Sequence, residues 1–306
     1  MDIQRIAVVG AGVIGASWTA FYLDQGFDVV VTDPAPGAAE RLDAALARFM
    51  GETRLAACRA KLRFEADLDA ALDGVDFVQE NGPERLDVKR ELYRRMDARL
   101  PAAALIGSSS SGLRMSEIQT ACERHPERCL IAHPFNPPHL IPLVELAGGA
   151  LTAPDAIARA KRFYDGLGKV TIVLNKEMPG HVANRLAAAL FREVYHLVGE
   201  GVVSVADADK AVSWGPGLRW GLMGQGLTYH LGGGDGGMAH FLDHLSGPIT
   251  SWWDDLGTPS FNEDVDRKLI EELREIQGAR SIAELGAERD RLLVELIEAR
   301  RRSFLP

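Results

Sequence analysis

Cysteine is scarce in this chain: three in 306 residues, Cys58, Cys122 and Cys129, at no metal-ligand spacing. That is too few for a disulfide framework and points to a reducing, cytoplasmic compartment. No apolar run approaches the ~18 residues of a membrane span, and no signal-peptide pattern is expected ahead of a first strand that begins almost at Met1. Basic blocks, internal repeats and low-complexity segments are also lacking. A formal net charge of −9 argues against nucleic acid as a partner. What remains is ordinary soluble composition, 46% hydrophobic and 25% charged, in a chain long enough for two domains.

Glycine, by contrast, stands in a telling place. Residues 6–15 read Ile-Ala-Val-Val-Gly-Ala-Gly-Val-Ile-Gly, so Gly10, Gly12 and Gly15 form G-x-G-x-x-G directly after a β-branched run. The context predicts a buried parallel strand over Ile6–Val9, a helix from Val13 to Gln25 and a second strand over Asp28–Thr32 that ends at Asp33. Gly10 permits a tight turn, Gly12 lets a pyrophosphate approach the backbone, and Gly15 lets helix and strand pack closely. The amides at Val13 and Ile14, at the helix N-terminus, face the phosphates. Asp33 suits the adenosine ribose hydroxyls and repels a 2′-phosphate. No basic side chain follows in Pro34-Ala35-Pro36, which favours NAD over NADP.

Strand and helix patterns alternate as far as Leu174. Further strands are expected at Leu62–Phe64, Phe77–Gln79, Leu105–Ser108, Leu130–Ala132, Leu143–Leu146 and Thr171–Leu174, with helices at Arg41–Leu55, Leu86–Arg99 and Ser116–Glu123. This predicts an α/β fold, a Rossmann-like doubly wound and mostly parallel sheet. After Met178-Pro179-Gly180 only helical stretches follow: Val182–Glu200, Asp207–Ser213, Asp264–Gln277 and Ala287–Arg302, with glycine-rich loops expected at Gly215–Gly217 and Gly232–Gly237. The expected division is residues 1–178 as an NAD-binding domain and 179–306 as an all-α substrate and dimerisation domain.

A second constellation lies in His133-Pro134-Phe135-Asn136-Pro137-Pro138 through Pro142-Leu143-Val144-Glu145. His133 follows a short apolar strand, so it falls at the strand edge where ligands bind in open α/β sheets. The proline-rich loop can return Glu145 to its side. Histidine is a good general base near neutrality, and a carboxylate on its other nitrogen fixes the tautomer. By spacing alone a histidine in such a loop is more often structural. Likewise, Ser111 could cap a turn and Asn184 a helix.

The ordered motifs resemble the 3-hydroxyacyl-CoA dehydrogenase superfamily over nearly the whole chain. Carrying the resemblance are Val9–Gly15, Gln79-Glu80 with Lys89, Ser108-Ser109-Ser110-Ser111, the His133–Glu145 stretch, and Pro179-Gly180-His181-Val182-Ala183-Asn184-Arg185-Leu186. The resemblance implies His133 as base with Glu145 as its partner. Ser111 and Asn184 would hold the reacting oxygen, and Glu80, Lys89, Ser109 and Asn136 would lie at the cofactor. The four-serine run places the catalytic serine only to within one position.

About 28 residues separate Asp33 from Leu62, enough for one helix and a tail but not for the long helical hairpin of the acyl-CoA enzymes. This favours a small free 3-hydroxy acid as substrate. Stretches such as Gly215-Pro216-Gly217-Leu218-Arg219-Trp220 resemble the short members of the superfamily, the carnitine group before the lambda-crystallin and L-gulonate group. L-Carnitine is the implied substrate, with L-gulonate or 3-hydroxybutyryl-CoA as alternatives. A non-catalytic NAD-binding protein is the alternative of another class. Trp214, Trp220, Tyr229, Trp252 and Trp253 could form a cation cage, a core or a dimer interface, and Arg219 is the candidate for a substrate carboxylate. A homodimer and no bound metal are expected.

Overall fold

The computed structural model describes residues 3–305. It divides into two compact units, one ending at Arg185 and one starting at Leu186. In the first, the elements in order are β1 (Arg5–Val9), α1 (Val13–Asp24), β2 (Asp28–Thr32), α2 (Ala38–Met50), α3 (Glu52–Cys58), β3 (Leu62–Phe64), α4 (Leu68–Ala71), β4 (Phe77–Glu80), α5 (Leu86–Arg99), β5 (Leu105–Ser108), α6 (Met115–Ile118), β6 (Cys129–Pro134), β7 (Leu143–Gly148), α7 (Pro154–Gly166) and β8 (Val170–Val173). The strands form one eight-stranded sheet in the order β3-β2-β1-β4-β5-β6-β7-β8. All neighbours are parallel except β6 and β7. Strand order reverses at β1, which lies between β2 and β4, and opens a crevice at the carboxyl ends of those strands.

The apolar strand runs follow from burial on both faces. Ile6 and Val8 enter one core with Trp18, Tyr22, Phe77 and Leu105, whereas Ala7 and Val9 enter the other with Val78, Tyr93, Met96 and Ile106. Successive strand residues point to opposite faces, so a doubly covered sheet needs continuous apolar runs rather than alternation.

The second unit is helical: α8 (Ala183–Gly199), within which the chain crosses from one unit to the other, α9 (Val205–Trp214), α10 (Pro216–Trp220), α11 (Gln225–Gly232), α12 (Gly237–Asp255), α13 (Glu263–Gln277) and α14 (Ile282–Arg301). Its buried cluster is small, with Val198, Val205 and Ala208 at the centre.

Several expectations are corrected. The stretch after Asp33 holds two helices rather than one, because the chain breaks at Gly51, whose φ of 75° ends α2. The helix expected over Ser116–Glu123 is only α6 and a 3-10 turn at Gln119–Ala121. There the Ser116 amide and hydroxyl are drawn to the Glu177 carboxylate. The loop expected at Gly215–Gly217 is largely α10, opened by Pro216 at a position where a missing N–H costs nothing. The loop expected at Gly232–Gly237 closes α11, makes a 3-10 turn and starts α12.

Candidate active site

The antiparallel pairing of β6 and β7 sets His133 directly opposite Glu145. Paired residues emerge on the same face of the sheet, which brings the side chains together. His133 Nδ1 and Glu145 Oε2 are 3.0 Å apart. The second carboxylate oxygen, Oε1, accepts hydrogen bonds from the Val182 and Ala183 amides at 2.9 and 3.0 Å. Burial pushes the Glu145 carboxyl up, but the His133 hydrogen bond and these two amides outweigh it and hold the group below the usual carboxylate range. An ionised carboxylate only accepts, so Nδ1 carries a proton, and in the neutral ring the lone pair is on Nε2. The Ser111 hydroxyl stands 3.3 Å from that Nε2, a long contact that leaves the nitrogen open to a tighter donor.

A cavity of about 190 Å³ is lined by His133 together with Ile14, Ser109, Ser111, Asn136 and Asn184 among others. The structure thus gathers both proposed oxygen holders, Ser111 and Asn184, with the histidine. Ser109 reaches the cavity with its hydroxyl already engaged. It donates to Asn81 at 2.7 Å and accepts from Gln79 at 2.9 Å and Trp18 at 3.3 Å. A basic nitrogen, a fixed counter-charge and neutral donors in one small cavity can move a proton to and from a hydroxyl oxygen.

The glycine turn fits a dinucleotide. Gly10 has a φ of 95°, and a Cβ there would stand 2.7 Å from the Asn81 carbonyl oxygen. A Cβ on Gly15 would fall 1.8 Å from the Gly10 carbonyl oxygen, so only glycine allows α1 to lie this close to β1. A Cβ on Gly12 would meet nothing within 4 Å among the described residues, which leaves open space before it. Val13 is exposed at the start of α1, where unpaired amides attract phosphate. Asp33 accepts from the Ala11 amide at 2.8 Å and the Ala35 amide at 2.9 Å, which fixes the loop and leaves lone pairs for ribose hydroxyls.

Of Glu80, Lys89, Ser109 and Asn136, all expected at the cofactor, Ser109 and Asn136 line the cavity, whereas Glu80 and Lys89 do not. Glu80 and Lys89 are 0% and 1% exposed and close an ion pair, with Lys89 Nζ 2.8 and 3.0 Å from the two Glu80 oxygens. Ser108 and the Gly82 amide complete the shell at 2.6 Å each. The pair supports the loop after β4 from beneath. In the helical unit, Trp214, Trp220, Trp252 and Trp253 are exposed, which rules out a core, and Tyr229 stacks on Phe241 at 4.3 Å. Among the described residues no ring contact links Trp214, Trp220 and Tyr229. Arg219 is exposed on α10 and makes no ion pair among the described residues. No metal-binding cluster occurs among the described residues.

Sequence reasoning missed His181 and the Val182 and Ala183 amides that hold Glu145. A polar ring directly after Pro179-Gly180 was the available signal.

Residues 5–178 match the model of the 3-hydroxyacyl-CoA dehydrogenase NAD binding domain, and residues 180–272 match that of the C-terminal domain. The chain belongs to the 3-hydroxyacyl-CoA dehydrogenase family. Similar curated relatives include the L-carnitine dehydrogenases of Streptomyces griseus subsp. griseus and Pseudomonas aeruginosa. They are 45% and 44% identical over 97% of this chain, which spans 90% and 94% of their lengths. Among solved structures, an NAD+-dependent 5-formyl-3-hydroxy-2-methylpyridine 4-carboxylic acid 5-dehydrogenase is 29% identical with a TM-score of 0.79, covering 98% of this chain and 99% of the other. The (S)-3-hydroxybutyryl-CoA dehydrogenase of Ralstonia eutropha is 26% identical with a TM-score of 0.65, covering 71% and 78%. This member of the 3-hydroxyacyl-CoA dehydrogenase family is an NAD-dependent oxidoreductase.

Proposed function

We propose that the chain oxidises the 3-hydroxyl of a small polar L-3-hydroxy acid, with L-carnitine as the substrate. The observation that carries the reaction is the His133–Glu145 pair facing a cavity that Ser111 and Asn184 also line. His133 Nε2 takes the hydroxyl proton, and the imidazolium so formed is balanced by Glu145. Ser111 and Asn184 are neutral donors to the substrate oxygen, stabilising it as charge develops. In the reverse direction the imidazolium returns the proton. NAD, when bound at Gly10–Gly15 and Asp33, supplies the hydride acceptor.

The choice of substrate is supported by the carnitine dehydrogenases at 40–45% identity and by the segment after Asp33. There α3 has only seven residues, too short to extend a hairpin for an acyl-CoA chain. We further propose a boundary near residue 178 between an NAD-binding domain and an all-α domain, a cytoplasmic location and a homodimer. The free cysteines support the location. The dimer is supported by Trp214, Trp252 and Phe261 exposed on the helical unit, 77%, 62% and 77% respectively, a pattern that a second copy would cover. Among the described residues no helix is long and apolar enough to cross a membrane.

A panel of L-carnitine, L-gulonate and 3-hydroxybutyryl-CoA, followed by NADH absorbance, tests the substrate. Turnover on the thioester and on no free acid overturns the reading. His133→Gln is expected to bind NADH normally and lose turnover by about 10²–10⁴-fold. Sedimentation at several concentrations tests the dimer.

A further inference from the structure

His181 stands out on three independent counts. It is the one non-glycine residue with a positive φ, 48°, among the described residues, a conformation that a side chain rarely adopts. Its ring is 3% exposed and lies 4.9 Å from the His133 ring at 45°. Its Nδ1 is buried with no hydrogen-bond partner among the described residues.

The turn it occupies grips both neighbours of the base. The Gly180 amide donates to the Ser111 carbonyl at 3.1 Å, and His181 Nε2 stands 2.8 Å from the Ser110 carbonyl oxygen. On the other side, the amides of Val182 and Ala183 hold Glu145. A carbonyl only accepts, so Nε2 carries the proton of His181. Burial depresses the pKa of this ring, the neighbouring His133 acts in the same direction, and the Ser110 bond, Glu145 and Glu84 oppose them. A glycine would adopt this φ without strain, but it would leave the Ser110 carbonyl without its donor.

We propose that His181 is a positioning residue for proton transfer at His133, tying the serine segment to the turn that carries the Glu145 amides. It is a neutral ring that keeps Ser111 and Glu145 at fixed distances from opposite nitrogens of the base. The inference rests on the reading of His133 as the base.

The test compares His181→Phe, which keeps a ring but loses the N–H, with His181→Gln, whose amide N–H sits the same number of bonds from Cβ. His133→Gln is measured alongside. His181→Phe should lower kcat on the order of ten- to a hundredfold, because misplaced groups lose near-attack geometry. KM and NADH affinity should hold, and His181→Gln should regain most of the loss. Equal loss in both variants, or native kcat in His181→Phe, overturns the proposal. If His133→Gln turns over normally, the base reading fails instead. If His181→Phe does not fold, His181→Gln and the native protein decide. Loss of turnover in His181→Gln with NADH binding intact overturns the proposal. So does a nitrogen NMR shift showing a charged or Nδ1-protonated His181 at neutral pH, whereas a neutral Nε2–H ring supports it.

Discussion

Replacing Glu145 with glutamine changes almost no volume and removes one charge 3.0 Å from His133 Nδ1. The side chain is 1% exposed, so water screens the pair poorly. At that separation and an effective dielectric of ~20, the attraction on the imidazolium is about 5 kcal/mol. At ~1.4 kcal/mol per decade this is close to four decades in rate. Relaxation of the surroundings about the imidazolium returns part of it, which sets the expected fall in kcat at about 10³–10⁴-fold. A second effect runs the same way. The glutamine carbonyl can still accept from Val182 and Ala183, which turns its NH₂ toward His133 Nδ1. That donor forces the proton onto Nε2, where the substrate hydroxyl must deliver its own. The assay is steady-state substrate oxidation read by NADH absorbance, with NADH affinity and Tm as controls. A kcat within tenfold of native, in a folded protein that binds NADH, refutes the reasoning. Stability supplies a further check. The Glu145 carboxyl lies lower in the folded than in the unfolded chain. Its contribution is therefore complete above the unfolded value of about 4.3 and is lost as pH falls through the lower folded value. The Tm gap between native and Glu145→Gln proteins should shrink in acid.

Asp33→Ala should weaken NADH binding about ten- to a hundredfold, since hydrogen bonds to a charged group are worth ~1.5–3 kcal/mol each, while NADPH binding falls less; unchanged selectivity in a titration of both cofactors refutes the ribose assignment. Gly12→Ala should fold with native Tm yet bind NADH poorly, because its Cβ meets only open space. Gly15→Ala should lose stability by roughly 1–3 kcal/mol or more from the clash with the Gly10 carbonyl; equal behaviour of the two variants in thermal melts and NADH titrations argues against the separate roles. Lys89→Met leaves the Glu80 carboxylate buried without its cation and should cost about 3–5 kcal/mol in urea unfolding. A variant of native stability that fails to bind NADH would instead place Lys89 against the cofactor.

The sheet was legible because its signals are local. β-Branched runs ending in glycine or acid mark Ile6–Val9 and Asp28–Thr32, and both strands appear within a residue of their expected bounds. What was not legible depends on partners distant in sequence. Ser116 lies in the first turn of α6, where its amide and hydroxyl are met by Glu177, and after one turn the chain passes into the 3-10 turn at Gln119–Ala121. α12, which carries Gly247 and Pro248 inside it, is not among the expected helices, and it packs on α11.

The site divides along a different line. His133 and Glu145 could be paired from the sequence because a short antiparallel return leaves few registers, and alternation puts both side chains on one face. The strength of that pair could not be read, because the groups that settle it are main-chain amides. Val182 and Ala183 have apolar side chains and signal nothing about charge, yet their N–H groups sit at the start of α8 and hold Glu145 ionised in a buried place. Glu80 and Lys89 show the converse. Their residue types announce chemistry, but with 2.8 Å between them and no surface left, the charges satisfy each other. A charged side chain in a motif is therefore evidence of a cofactor contact only where the fold leaves it a free face. Among the motif carboxylates, Asp33 meets that condition and Glu80 does not.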